Sequence, residues 1–187
     1  MNDFYIALGA NLPSGERSPT DTLLAALDEL GRTGVVDLIV SPFYSTPCFP
    51  PGAGPDYVNA AARFKSRLTP DAMLARLHEI EAQFGRERHV RWGMRTLDLD
   101  LIACDGMVLP NLETYARWRD LPQKTQKSQA PETLILPHPR MQDRAFVLVP
   151  MRDIAPDWRH PVLDLTVDEM CNRLSPEALA EIVVLEI

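Results

Sequence analysis

Phe4-Tyr5-Ile6-Ala7-Leu8 is an unbroken apolar run closed by Gly9, a pattern that predicts a buried strand. Ser18-Pro19-Thr20 then offers a helix start, and Leu23, Leu24, Leu27 and Leu30 recur at helical spacing until Gly31 and Gly34 end the segment. Val35 to Ser45 is β-branched and aromatic enough for a second strand. It is closed by Pro47 and by Phe49-Pro50-Pro51-Gly52-Ala53-Gly54-Pro55, which cannot be regular. Tyr57 to Phe64 predicts a returning strand. A second helix follows, with Thr69 as N-cap, Pro70 at its first position, apolar Leu74, Leu77, Ile80 and Phe84, and Gly85 just past its end. Thr96 to Ala103 alternates strictly: Leu97, Leu99 and Leu101 face one way, Asp98 and Asp100 the other. Asp105-Gly106 then turns the chain back toward Met107-Val108-Leu109.

The order strand, helix, strand, strand, helix, strand predicts an α+β fold. Its core is a ferredoxin-like antiparallel sheet with two helices on one face and a C-terminal extension. Positions 110–133 are polar, proline-bounded and centred on QKTQKSQ, and they are expected to form an insertion loop. Helical signals return at Phe146 to Ile154 and at the capping box Thr166-Val167-Asp168-Glu169, ahead of a last strand at Val183 to Ile187. No internal repeat stands out beyond the split unit, and 187 residues are enough for one domain, 1–187, with a proper core.

Composition narrows the setting. With 45% hydrophobic and 24% charged residues the chain is expected to be globular rather than disordered. No apolar run is long enough to span a bilayer and Met1-Asn2-Asp3 lacks a basic start, so a cytoplasmic protein without a membrane partner is expected. Cys48, Cys104 and Cys171 match no zinc or redox spacing and are expected to be reduced, partly buried side chains. A net charge of -7 argues against nucleic acid unless basic residues are segregated. Apart from Lys65, Lys124 and Lys127, every basic residue is arginine, the side chain that forks onto phosphate.

The segregation is local. RERHVRWGMRTLDLDL places Arg86, Arg88, Arg91 and Arg95 directly before the Asp98 and Asp100 pair. Side chains two apart on a strand lie about 6.6 Å from one another on one face, so the two carboxylates can share hard cations such as Mg²⁺. The alternative is a solvated face of an edge strand. Guanidinium groups beside such a pair favour a nucleotide, because phosphoryl transfer is catalysed mostly by positioning and electrostatics. Neither G-x-x-x-x-G-K-[ST] nor G-x-G-x-x-G occurs, so side chains must hold the phosphates. Gly85 and Gly93 bracket the arginine stretch and would let it move as a lid. His138, held between Pro137 and Pro139, is either a surface histidine or a ligand contact. Tyr57, Phe49 and Phe146 are either core aromatics or ring-stacking faces, and Asn59 stands on the same side of its strand as Tyr57.

YIALGAN, SPFYSTP, PDYVNAA, GRERHVRWGMRTLDLDL and LPHPRMQDRAFVLVPMRDIAP, in that order, resemble the 6-hydroxymethyl-7,8-dihydropterin pyrophosphokinase family over most of residues 4–156. The resemblance implies pyrophosphoryl transfer from ATP to a pterin alcohol, with AMP released. It implies two Mg²⁺ on Asp98 and Asp100 and a pterin between Tyr57 and Phe146. The pterin edge would meet Asn59 and the backbone around Thr46, Pro47 and Phe49, with Gly9 alongside. Arg86, Arg88 and Trp92 match the family's mobile catalytic loop. Arg95 and Arg144 match residues facing the triphosphate, His138 an ATP contact, and Glu81 a residue lining the nucleotide side. Met94 stands where the family usually has proline, and the 110–133 segment is longer than the usual connection. The expected partners are therefore ATP and the pterin, with a monomer expected and a dimer left open.

Two rivals follow from the same residues. A ferredoxin-like RNA-binding module would use the arginines and aromatics and would need neither aspartate. A metal-dependent nuclease or glycosyltransferase built on Asp98 and Asp100 would leave the Tyr57 and Phe146 pair without a role.

Overall fold

The computed structural model describes residues 1–48, 54–85, 96–122, 125 and 129–186. Among these residues six strands, β1 (Asn2–Ala10), β2 (Val36–Val40), β3 (Tyr44–Thr46), β4 (Tyr57–Ser66), β5 (Asp98–Cys104) and β6 (Val183–Val184), form one sheet ordered β5-β1-β4-β3-β6, with β2 also on β4. All the pairings are antiparallel. The helices are α1 (Pro19–Gly31), α2 (Pro70–Gln83), α3 (Leu112–Arg119), α4 (Ala145–Ile154), α5 (Val167–Cys171) and α6 (Pro176–Ala180).

Local chemistry sets the helix ends. Ser18 Oγ accepts from the Asp21 N–H at 3.1 Å and Thr69 Oγ1 from the Ala72 N–H at 3.3 Å, in each case just before a proline that needs no partner for its nitrogen. Gly85, at φ +77°, takes the left-handed conformation past the end of α2. The Thr166 and Glu169 capping box forms both of its bonds, at 3.1 and 2.7 Å.

The core has two layers. Phe4, Ile6, Leu8, Phe64, Leu97 and Leu99 pack one face of the sheet against α1 and α2. Tyr5, Ala7, Ala61, Ile102 and Ala103 pack the other face against α4 and α5. The two helices of the strand-helix-strand-strand-helix-strand unit thus lie on one face, as expected, and the later helices cover the other. This explains why β1 reads as a continuous apolar run: a strand buried on both sides has no polar alternation.

Four expectations change. The Val35 to Ser45 segment is interrupted, because Ser41 exchanges bonds with Ala61 (N–H to Ala61 O at 2.9 Å, Ala61 N–H to Ser41 Oγ at 3.0 Å) and Pro42 has no N–H to continue the ladder. Met107 to Leu109 does not return as a strand. The turn forms at Asp105, φ +46°, but Leu109 pairs only with Leu136. Within the expected insertion loop, α3 is a helix. Asn111 Oδ1 caps it by accepting from the Thr114 N–H at 2.9 Å, and Tyr115 is fully buried on its inner face. The last strand is shortened to Val183–Val184 on β3.

The C-terminal residues pin α3 in place. His160 is fully buried, and its Nδ1 accepts from the Val162 and Leu163 N–H groups at 3.1 and 3.2 Å. The ring proton therefore sits on Nε2 and is donated to the Tyr115 hydroxyl at 3.0 Å. Protonating Nδ1 would set a third donor against two others, and burial, with the Arg119 charge, lowers the His160 pKa to about 4. The unfolded chain takes up that proton near pH 6.5. Stability is therefore fully present above about pH 6.5 and is lost as the pH falls through the folded value. Thermal melts are expected to be flat from pH 8 to 7 and to move down steadily from pH 6 to 4.5. The slope should be smaller in His160→Gln, and a slope equal to wild type in that variant would take His160 out of the acid response.

Candidate active site

Paired residues in an antiparallel sheet place their side chains on one face. Asp98 pairs with Gly9, Gly9 with Asn59 and Asn59 with Tyr44, so one row crosses four strands on the face that carries α4. Strands lie about 4.8 Å apart, so the row runs about 14 Å from a carboxylate at one end to a phenol at the other. Asp100, paired with Ala7, and Tyr57, paired with Thr46, occupy neighbouring rows of the same face.

Small residues keep that face open. A Cβ on Gly9 would lie 3.0 Å from Asn59 Oδ1, closer than a side chain normally approaches, so glycine is what allows the Asn59 amide to sit there. Asn59, 6% exposed, donates from Nδ2 to Thr46 Oγ1 at 2.7 Å, which orients the amide. Tyr44 donates its hydroxyl to Asp153 Oδ2 at 2.5 Å and so ties β3 to α4; burial and this acceptor together push the Tyr44 pKa up to about 12. At the start of α4, Phe146 is 38% exposed between the buried Ala145 and Val147, and the Arg144 guanidinium carbon lies 5.6 Å from its ring centre. Phe146 is thus not a core side chain.

Asp98 and Asp100 are half-buried on β5, the end strand of the sheet order. Among the described residues no three histidine, cysteine, aspartate or glutamate side chains gather as a metal site. The pair supplies hard oxygen donors without completing a cage, which fits Mg²⁺, an ion held by one or two carboxylates with the remaining positions left to water and phosphate. Glu81, expected on the nucleotide side, is 1% exposed and accepts from the Leu99 N–H through Oε1 at 2.7 Å. It braces the backbone between the two aspartates from α2. Glu81→Ala leaves that buried N–H without its acceptor and is expected to cost about 1 to 3 kcal/mol in urea unfolding, whereas Glu81→Gln retains an acceptor and most of the stability. Equal midpoints for Glu81→Ala and wild type would show that the brace contributes nothing.

A cavity of about 370 Å³ opens beside β5, lined by Asp100, His138, Arg140 and Arg144 together with Leu74, Leu101, Leu134 and Trp118. His138 donates its backbone N–H to Ile102 O at 2.7 Å, and its Nδ1 accepts from the Arg140 N–H at 3.2 Å, which leaves Nε2–H as the ring's donor. Burial, then the charges of Arg144 and Arg140, lower its pKa to about 3, so it is neutral at ordinary pH. Neutral imidazole, two arginines and the Asp100 and Glu132 carboxylates beside apolar walls form a setting for a phosphorylated ligand that arrives with its cation and carries an apolar ring.

The structure brings Gly9, Thr46, Tyr57, Asn59, Asp98 and Asp100 onto one sheet face, with Phe146 and Arg144 at the start of the helix packed on it. Pro47 is exposed directly after β3. Phe49, Arg86, Arg88, Trp92 and Arg95 lie outside the described residues. Sequence reasoning passed over Arg140, though it stands two residues after His138. It also passed over Trp118, whose spacing of three from Tyr115 was the available signal, and over Asp153, for which no local signal exists.

The family model for 7,8-dihydro-6-hydroxymethylpterin-pyrophosphokinase matches residues 5–156. The chain belongs to that family. The 2-amino-4-hydroxy-6-hydroxymethyldihydropteridine pyrophosphokinase of Pseudomonas aeruginosa is 39% identical over 158 residues, 84% of this chain and 83% of that one. The protein of the same name from Methylorubrum extorquens is 31% identical over 183 residues, 97% of this chain and 99% of that one. Among solved structures, the wild-type Plasmodium falciparum HPPK-DHPS superposes with a TM-score of 0.64 at 14% identity. That comparison covers 92% of this chain but 44% of the longer one, and it bears on the fold alone. The pyrophosphokinase family match spans β1 to α4, and so includes the whole row from Asp98 to Tyr44. No helix among the described residues is long and apolar enough to cross a membrane.

Proposed function

We propose that this chain transfers the pyrophosphoryl group of ATP to the hydroxymethyl group of 6-hydroxymethyl-7,8-dihydropterin, releasing AMP, as a step of folate biosynthesis. The row Asp98, Gly9, Asn59, Tyr44 carries the reading. It sets a carboxylate pair and an oriented amide about two strands apart on one face, as a reaction between a metal-bound phosphate and a hydrogen-bonding heterocycle requires. The order β5-β1-β4-β3, with α1 and α2 on one face, supports the ferredoxin-like assignment of the core, and α4 to β6 form the C-terminal extension of one domain.

The pterin hydroxymethyl oxygen attacks the β-phosphorus. The new O–P bond forms as the bond from the β-phosphorus to the bridging α,β-oxygen breaks, its electron pair leaves with AMP, and the hydroxyl proton passes to water. Asn59, aligned by Thr46, binds the pterin edge, and Tyr57 and Phe146 hold its faces. Arg144 and Arg140 meet phosphate oxygens, and neutral His138 donates from Nε2. His138 Nδ1 already accepts the Arg140 N–H, so its ring presents a donor rather than a base to the ligand. Asp98 and Asp100 would hold two Mg²⁺, which supply charge neutralisation and alignment of the phosphates. Arg86, Arg88, Trp92 and Arg95 are assigned to a loop that closes over the nucleotide, and Phe49 to the pterin edge, by family correspondence. The reading takes ATP and the pterin as partners, a monomeric enzyme and a cytoplasmic setting; no observation favours RNA. Incubation with ATP, Mg²⁺ and the pterin alcohol, followed by nucleotide analysis, tests it. AMP with the pterin diphosphate supports pyrophosphoryl transfer, and ADP or no turnover rejects it.

A further inference from the structure

We propose that Trp118, carried by the helix inside the 110–133 insertion, is a nucleobase-stacking residue of the cavity beside β5. The inference rests on the reading of that cavity as the ATP site. Trp118 lies three residues after Tyr115, so the two share a face of α3. Tyr115 is fully buried, yet Trp118 keeps part of its surface open, and it lines the cavity alongside Leu74, Leu101 and Leu134. Apart from the His138 imidazole, it is the aromatic ring among the described lining side chains.

The ring stands on a fixed support. Tyr115 is held by the His160 Nε2 contact at 3.0 Å, and the Arg119 guanidinium carbon lies 6.0 Å from the Tyr115 ring centre. Arg119 in turn pairs with Asp120 at 2.8 Å. A stacking surface anchored in this way costs little ordering when the ligand arrives. The same cavity holds Asp100, His138, Arg140 and Arg144, which suit the phosphates. An aromatic face close to them suits the purine. The inserted segment thereby becomes a determinant of nucleotide affinity rather than a passive connection.

Calorimetric titration with α,β-methylene-ATP and Mg²⁺, in which the bond to be broken is blocked, separates base binding from chemistry. Inorganic tripolyphosphate, which has no base, is titrated in parallel. Trp118→Ala is expected to weaken the nucleotide analogue about 5- to 150-fold, the range for an aromatic ring stacked on a base. Tripolyphosphate affinity should stay within about twofold. Trp118→Phe should restore most of the loss. Trp118→Leu, which keeps apolar bulk without a ring, should behave as the alanine variant does and serves if that variant is poorly folded. Wild-type affinity for the analogue in both ring-less variants overturns the proposal, as does an equal loss for tripolyphosphate. Failure of the wild type to bind the analogue overturns the ATP assignment itself.

Discussion

Asp98→Asn and Asp100→Asn are each expected to reduce turnover on the order of 10³-fold or more while leaving the melting temperature close to wild type. Both side chains are half-buried on the open end of one sheet face, and their immediate row partners, Gly9 and Ala7, carry little or no side chain to pack against them. An amide of the same shape therefore costs the fold little. It removes a negative charge where the proposed ions must be held against a triphosphate, and losing that stabilisation corresponds to roughly 4 kcal/mol of barrier. The measurement is steady-state turnover across a Mg²⁺ titration, run beside thermal melts. Partial recovery at high Mg²⁺ would mean weakened ion binding. Near-normal rates at limiting Mg²⁺ in either variant would remove that aspartate from the metal site.

The parts of this site that were legible in the sequence are those carried by period and punctuation. Alternation from Leu97 to Leu101 announced which way Asp98 and Asp100 face, and Thr69, Pro70 and Gly85 bounded α2. Motif resemblance pointed to Asn59, Tyr57 and Phe146. The register that joins Asp98 to Gly9, Asn59 and Tyr44 was not legible, since it depends on which strands become neighbours. The second core layer was hidden for the same reason: a strand buried on both faces shows no period that names its covering helices. The hydrogen bonds that fix the site's outer parts join distant positions. Tyr44 reaches Asp153 across 109 residues, and Tyr115 reaches His160 across 45. No local pattern encodes either pair. The polar run QKTQKSQ dominates the middle of the insertion and points to a loop. The short helical stretch with its Asn111 cap and the Tyr115 and Trp118 spacing was there but was outweighed.

Phe146→Ala is expected to weaken pterin binding about 5- to 150-fold, corresponding to roughly 1 to 3 kcal/mol of stacking, with little change in ATP affinity. The placement of Phe146 makes this a sharp test. A fully buried phenylalanine would lose about 3 to 5 kcal/mol of stability on truncation. Phe146 is 38% exposed, whereas Val147 and Leu148 beside it are at most 1% exposed and bind α4 to the sheet. The helix therefore keeps its anchorage without the ring. Within the protein, truncation removes the approach of the Arg144 guanidinium to the ring at 5.6 Å, an interaction worth about 0.5 to 1 kcal/mol at an exposed site. Without the ring, Arg144 remains beside His138 and Arg140 in the cavity, which is why nucleotide affinity should hold. Calorimetric titration with the pterin and with α,β-methylene-ATP, alongside a melt of the same variant, distinguishes the alternatives. A large fall in melting temperature with pterin affinity unchanged would make Phe146 a packing residue. Equal losses for both ligands would mean that it acts through Arg144 and not by stacking on the pterin.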